Sequence, residues 1–313
     1  MYNYPPSAVG WCSTWNTSAI PAGITSFRYD LFHRPLSVEE KPVMTESSVS
    51  PHHLPLPRVI AIANQKGGVG KTTTSVNLSA CLAELGYRTL LIDLDPQGNA
   101  SSGVGIETRA IETSIYDVLL NDAAMEDCVE PATVKNLFVA PANLDLAGAE
   151  IELVNEMARE HRLKRAIDQE LDRYDYIIID CPPSLGLLTV NALVAAREVL
   201  VPIQCEYYAL EGLGQLLRNV DKVKKNLNQE LQVSTIVCVM YDARTKLSKA
   251  VVDQVREHFG DKVCDTMVPR DVRLSEAPSH HQPINVYDPS SKGCIAYRSV
   301  AKEVSGGTSP RTR

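Results

Sequence analysis

The apolar run Val59-Ile60-Ala61-Ile62-Ala63 leads, through Asn64 and Gln65, into Lys66-Gly67-Gly68-Val69-Gly70-Lys71-Thr72. An apolar strand, a glycine-rich loop and a helix start in that order form a phosphate cradle at the mouth of a parallel sheet. Gly67, Gly68 and Gly70 lack a Cβ, so the backbone can approach phosphate oxygens closely. Successive N–H groups, Val69 and Thr73 included, gather at a helix N-terminus, where the dipole favours anions. The pattern places Lys71 on the β- and γ-phosphates and makes the Thr72 hydroxyl a Mg²⁺ ligand. One position departs from the ordinary loop. Gln65 stands where its first glycine belongs, and an extra lysine, Lys66, precedes Gly70 by four residues.

A hydrolytic loop needs acids on the same side of the sheet. Thr89-Leu90-Leu91-Ile92 ends in Asp93-Leu94-Asp95, and Tyr176-Ile177-Ile178-Ile179 ends in Asp180. Ligands of parallel sheets gather beyond the carboxyl ends of strands, which puts Asp93, Asp95 and Asp180 beside the loop. Asp180, after four apolar residues, has the position of a magnesium-side acid. Asp93 is a further metal candidate, and a turn or cap is the structural alternative for each.

Apolar strands are expected at 59–63, 89–93, 137–140, 176–180, 199–203, 234–240 and 263–267. Amphipathic helices are expected at 72–85, 159–171, 187–196, 210–226 and 248–258. This alternation predicts an α/β fold, a mostly parallel, doubly wound P-loop sheet with helices on both faces. The predicted ATPase domain spans residues 57–304. Residues 305–313, rich in Ser, Gly and Thr, read as a flexible tail. Residues 1–56 are rich in Pro, Ser and Thr without helix or strand period and read as a disordered extension. Trp11 and Trp15 suit a short docking motif there, and Met44 is an alternative start.

The chain has 313 residues and a net charge of −7, which argues against a broadly basic nucleic-acid binder. A local patch is compatible with it: from Tyr241 onward, 12 Lys and Arg face 9 Asp and Glu. Eight scattered cysteines form no C-x-x-C pair, which suits a reducing compartment. No apolar stretch reaches the roughly 18 residues of a membrane span.

Lys66–Thr74, Asp93-Leu94-Asp95-Pro96-Gln97-Gly98-Asn99 and Asp180-Cys181-Pro182-Pro183-Ser184 closely resemble the ParA/Soj chromosome- and plasmid-partitioning ATPases. The likeness continues through Gln204–Gly212, Asp242–Thr245 and Val268–Ser279, and covers about residues 57–303. It implies that Lys66 reaches the nucleotide of a second subunit, that Lys71 and Thr72 hold phosphate and metal, and that Asp95 positions the attacking water. Lys66, Lys71 and Asp95 are thus the catalytic candidates. Pro269 and Asp271 match the segment that packs against adenine, although that second position is commonly Asn. Arg244 and Arg273 match arginines that hold DNA non-specifically.

The same resemblance implies ATP and Mg²⁺ as cofactors, an ATP-dependent homodimer and a ParB-like centromere-binding partner that stimulates slow hydrolysis. It also implies a cytoplasmic, nucleoid-associated protein. The competing readings are a related ATPase that positions another cargo and a MinD-like membrane-cycling regulator, which needs a C-terminal amphipathic helix with basic and bulky apolar faces that the Gly/Ser/Thr tail does not offer. An electron-transfer ATPase would need cysteines around a cluster.

Overall fold

The computed structural model describes residues 55–206 and 209–311, with residues 209–211 described by backbone alone. The expected extension, with Trp11, Trp15 and Met44, lies outside the described residues except for Pro55 and Leu56.

The chain runs β1 (Arg58–Ile62), α1 (Lys71–Glu84), β2 (Thr89–Asp93), α2 (Asn99–Gly103), α3 (Ile115–Leu120) and α4 (Met125–Cys128). It continues with β3 (Glu130–Pro131), β4 (Leu137–Ala140), α5 (Leu146–Glu152), α6 (Arg162–Asp168), β5 (Tyr176–Asp180), α7 (Leu187–Ala195) and β6 (Glu198–Gln204). It ends with α8 (Ala209–Asn226), β7 (Gln232–Val239), α9 (Lys246–Phe259), α10 (Val272–Glu276), α11 (Ile284–Tyr287) and α12 (Lys292–Ser305). Among the described residues, seven strands form one sheet in the order β3-β4-β2-β5-β1-β6-β7, parallel except for the two-residue edge strand β3.

Strand side chains alternate between two cores, which is why these strands read as continuous apolar runs. Val59, Ala61, Leu90, Ile92, Ile177 and Ile179 face one core, filled from α3, α5, α7, α8 and α9. Ile60, Ile62, Leu91 and Ile178 face the other, filled from α1 and α12. The doubly wound fold expected from the alternation is the fold observed. The apolar side of α12, including Tyr297, Val300 and Val304, is spent on this core, and Ile295 is the large apolar residue that the helix leaves exposed. Among the described residues no helix is long and apolar enough to cross a membrane.

Three local expectations differ from the structure. Residues 263–267 make no strand. Val263 forms an isolated bridge with Ile236, while Asp265 and Thr266 turn their N–H groups to the Glu303 carboxylate. The helix expected from residue 159 begins as a 3₁₀ turn and is regular over Arg162–Asp168. The tail expected to be flexible is fastened as far as Arg311. Arg311 Nε donates to Asp175 Oδ1 at 2.9 Å, its Nη2 donates to the Leu171 and Tyr174 carbonyls, and Tyr87 Oη donates to the Thr308 carbonyl.

Candidate nucleotide site

β1 delivers the loop and α1 receives it. Gly68 and Gly70 take φ of 73° and 77°, left-handed values that favour glycine. Gly70 is the N-cap of α1, and no side chain caps the helix, so its first N–H groups stay open to a ligand. A Cβ at Gly67 or Gly68 would meet nothing within 4 Å, so the loop borders open space. Val69 is buried and anchors it. Asn64 ties the loop to β6. Its side chain accepts from Lys66 N at 3.0 Å and donates to the Pro202 carbonyl at 2.9 Å.

The two lysines are placed differently. Lys71 is buried and folds back over the loop, with Nζ 3.4 Å from the Lys66 carbonyl oxygen. Burial lowers its pKa, and Asp180 and Asp95 oppose that shift. Lys66 is 35% exposed at its side chain. Its Nζ lies 3.4 Å from Gln204 Oε1 and 3.7 Å from Glu206 Oε2.

The three acids divide their work. Asp93 and Asp180 are register partners at the ends of β2 and β5, and both are fully buried. Asp180 Oδ1 accepts from Ser75 Oγ at 2.7 Å, while Oδ2 is buried with no partner. Burial and the neighbouring Asp93 charge raise its pKa, against the pull of the Ser75 and Thr72 hydroxyls. Asp93 is different, because both its oxygens are used. Oδ2 accepts from Ser101 N and Oγ at 2.8 and 2.7 Å, and Oδ1 accepts from Asp95 N at 3.1 Å. Its pKa is raised by burial, with the Ser101 bonds opposing. Asp93 therefore organises the loop that carries Asp95, and each of its oxygens already accepts a hydrogen bond. Asp95 is partly exposed; its Oδ1 accepts from Gln97 N at 3.0 Å.

A cleft of about 390 Å³ opens beside the loop, lined by Gly70, Thr73, Met240, Pro269, Arg270 and Asp271 among others. The structure thus brings the Pro269 segment, distant in sequence, against the phosphate loop. Asp271 does not point a free side chain into this cleft. Its Oδ1 caps α10 through Arg273 N at 3.0 Å and its Oδ2 accepts from Gly293 N at 2.8 Å. An amide donor is thus not what this position supplies.

Arg244 lies in the loop that follows β7 and Arg273 in the first turn of α10, and a parallel bridge between Tyr241 and Pro269 holds the segments that lead to them side by side. Both are exposed and both already have carboxylate partners. Arg244 pairs with Asp242 at 2.7 Å, and Arg273 with Glu276 at 2.8 Å and Asp288 at 3.5 Å.

Sequence patterns missed Asn64, Ser75, Ser101 and the Gln204–Glu206 pair. Ser75 had a readable signal, one helical turn after Lys71, where its hydroxyl also donates to the Lys71 carbonyl at 3.0 Å. All seven described cysteines are buried, so the cluster reading finds no exposed thiol among the described residues.

A family model described as an AAA domain matches residues 57–233. The sporulation initiation inhibitor protein Soj of Bacillus subtilis is 59% identical over 247 residues, covering 79% of this chain and 98% of Soj. The chromosome partitioning protein ParA of Myxococcus xanthus is 52% identical over 255 residues, covering 82% of this chain and 90% of that one. Among solved structures, cobyrinic acid a,c-diamide synthase from Mycobacterium smegmatis with bound ADP and magnesium is 39% identical. Its TM-score is 0.69, and the match covers 82% of this chain and 99% of that one.

Proposed function

The chain belongs to the ParA/Soj family of chromosome-partitioning ATPases, and on that premise we propose that it partitions DNA as an ATP-gated switch. An ATP-bound homodimer holds nucleoid DNA non-specifically through Arg244 and Arg273. A ParB-like centromere-binding partner stimulates hydrolysis and releases it.

The observation that carries this reading is the separation of the two lysines. Lys71 is buried over its own loop, which supports a role on phosphates bound by that loop. Lys66, on the same loop, keeps a partly exposed amine with only long contacts to Gln204 and Glu206, which supports a role on a nucleotide of another subunit. ATP then supplies the charge that joins two copies, so nucleotide state sets assembly.

The residues fit magnesium as well as phosphate. The orphaned Asp180 Oδ2 and the nearby Thr72 hydroxyl would hold the ion, directly or through water. When bound, Mg²⁺ neutralises phosphate charge and orients the transferring group. Pro269 and the backbone at Asp271 flank the base. Asp95 orients the attacking water, held by the turn that Asp93 organises. Catalysis of this kind is positioning and charge neutralisation, so it is slow until a partner completes it.

The test is DNA co-sedimentation of the full chain with ATP, with ADP and without nucleotide. Binding with ATP alone, lost in Lys66→Ala, is the expected result. Equal binding in all three states would overturn the switch.

A further inference from the structure

Glu206 sits between two cations that belong to opposite sides of the site. Its Oε2 is 3.7 Å from Lys66 Nζ and its Oε1 is 3.7 Å from Arg270 Nη2. Gln204 braces it, donating from Nε2 to Glu206 Oε1 at 2.7 Å while its own Oε1 lies 3.4 Å from Lys66 Nζ. Lys66 starts the phosphate loop, whereas Arg270 lines the base-side cleft next to Pro269. One carboxylate therefore serves both.

We propose that Glu206 is a positioning residue that holds Lys66 within its own subunit and passes to Arg270 when Lys66 leaves. The inference rests on the reading of Lys66 as a lysine used across a dimer. Both contacts are long and half exposed, and such pairs are weak. A latch that nucleotide must open needs that weakness, because a tight pair would compete with phosphate. Departure of Lys66 toward a second subunit leaves Glu206 to Arg270 alone, which draws the base-side loop toward β6. An Arg270 drawn away from Glu206 leaves the carboxylate to Lys66. The two cations compete, so substitutions at Glu206 and Arg270 act on Lys66 with opposite sign.

The test reads Lys66 directly. The nucleotide-free full chain is labelled with acetic anhydride, and acetylation of Lys66 is followed by peptide mass spectrometry against the exposed Lys249. Glu206→Gln should speed Lys66 labelling about twofold to fivefold, Arg270→Gln should slow it, and Glu206→Asp should return it toward the native rate. In a second arm, Glu206→Gln should lower the protein concentration at which ATP drives dimer formation, and Lys66→Ala should abolish that gain. Unchanged labelling in Glu206→Gln, or a change of the same sign in Arg270→Gln, overturns the proposal. Changed labelling without changed assembly supports the hold on Lys66 and overturns only its cross-subunit use.

Discussion

Ser75 Oγ donates to Asp180 Oδ1 over 2.7 Å and leaves Oδ2 buried without a partner. A fully buried carboxylate with one free oxygen is costly to keep, about 1–3 kcal/mol for an unsatisfied group. On the function proposed above, that oxygen serves magnesium. Asp180→Asn should therefore stabilise the nucleotide-free chain by about 1 kcal/mol, raising its Tm by about 2–4 °C. The same change should lower Mg²⁺-dependent ATP turnover about a hundredfold or more. Thermal melts without nucleotide and phosphate release with Mg²⁺ check both halves. Native turnover in the variant would remove Asp180 from the metal site.

The lysines should separate in the same assays. Lys71→Ala removes a buried cation from the phosphate cradle and should weaken nucleotide binding about tenfold to a hundredfold. Lys66→Ala should keep most of the nucleotide affinity and lose ATP-dependent dimerisation. Calorimetric titration and light scattering with ATP distinguish them. A Lys66→Ala chain that dimerises normally would end the cross-subunit role.

Asp271 holds two backbone donors, Arg273 N and Gly293 N, and so ties α10 to the start of α12. Asp271→Ala should cost about 1–2 kcal/mol through the lost cap. Asp271→Asn keeps a cap acceptor and should cost under about 1 kcal/mol. Because both carboxylate oxygens are engaged by backbone, Asp271→Asn should leave the preference for ATP over GTP unchanged. A clear shift in that preference would show that the side chain reads the base.

Arg58 on β1 and Glu198 on β6 form a bidentate pair at 2.7 and 2.6 Å, with side chains 2% and 1% exposed. Arg58 also donates to the Val304 carbonyl, which fastens the end of α12 to the sheet. Glu198→Ala leaves a buried guanidinium without its counter-ion and should cost about 3–5 kcal/mol. Urea unfolding measures this; a loss under about 1 kcal/mol would mean that water reaches Arg58.

The parallel sheet and the phosphate loop were legible because long apolar runs and a spaced glycine motif are local signals. Short pieces were not. α2, α4, α10 and α11 have four or five residues each, too few for a 3.6-residue period to show. The run at 263–267 had strand composition, but Glu303 on α12 captures two of its N–H groups, a contact no local pattern contains. The acids were found by their place at strand ends, yet their different roles were hidden. Ser101 saturates Asp93 while Ser75 half-satisfies Asp180, and neither serine is marked by spacing from the acid it serves.

Arg244 is 87% exposed but clasped by Asp242, so a phosphate must compete with a carboxylate for it. Arg244→Ala should weaken ATP-dependent DNA binding equally across sequences and reduce the salt slope by about one. Asp242→Asn should act oppositely and tighten binding, because it frees the guanidinium; weaker binding in that variant would show that Asp242 orients Arg244 instead. The clasp also has a pH signature. The Arg244 side chain and its backbone N–H hold the Asp242 carboxyl down at about 2. A depressed carboxylate pKa contributes order that is complete above the ordinary carboxylate range and is lost as pH falls through the folded value. The loop from Tyr241 to Thr245 should therefore keep its clasp down to about pH 3 and release it near pH 2. In Arg244→Ala the Asp242 midpoint should rise toward the ordinary range. Carboxyl ¹³C titration of the two chains reads the midpoints, and coincident curves would mean that Arg244 does not hold Asp242 in solution.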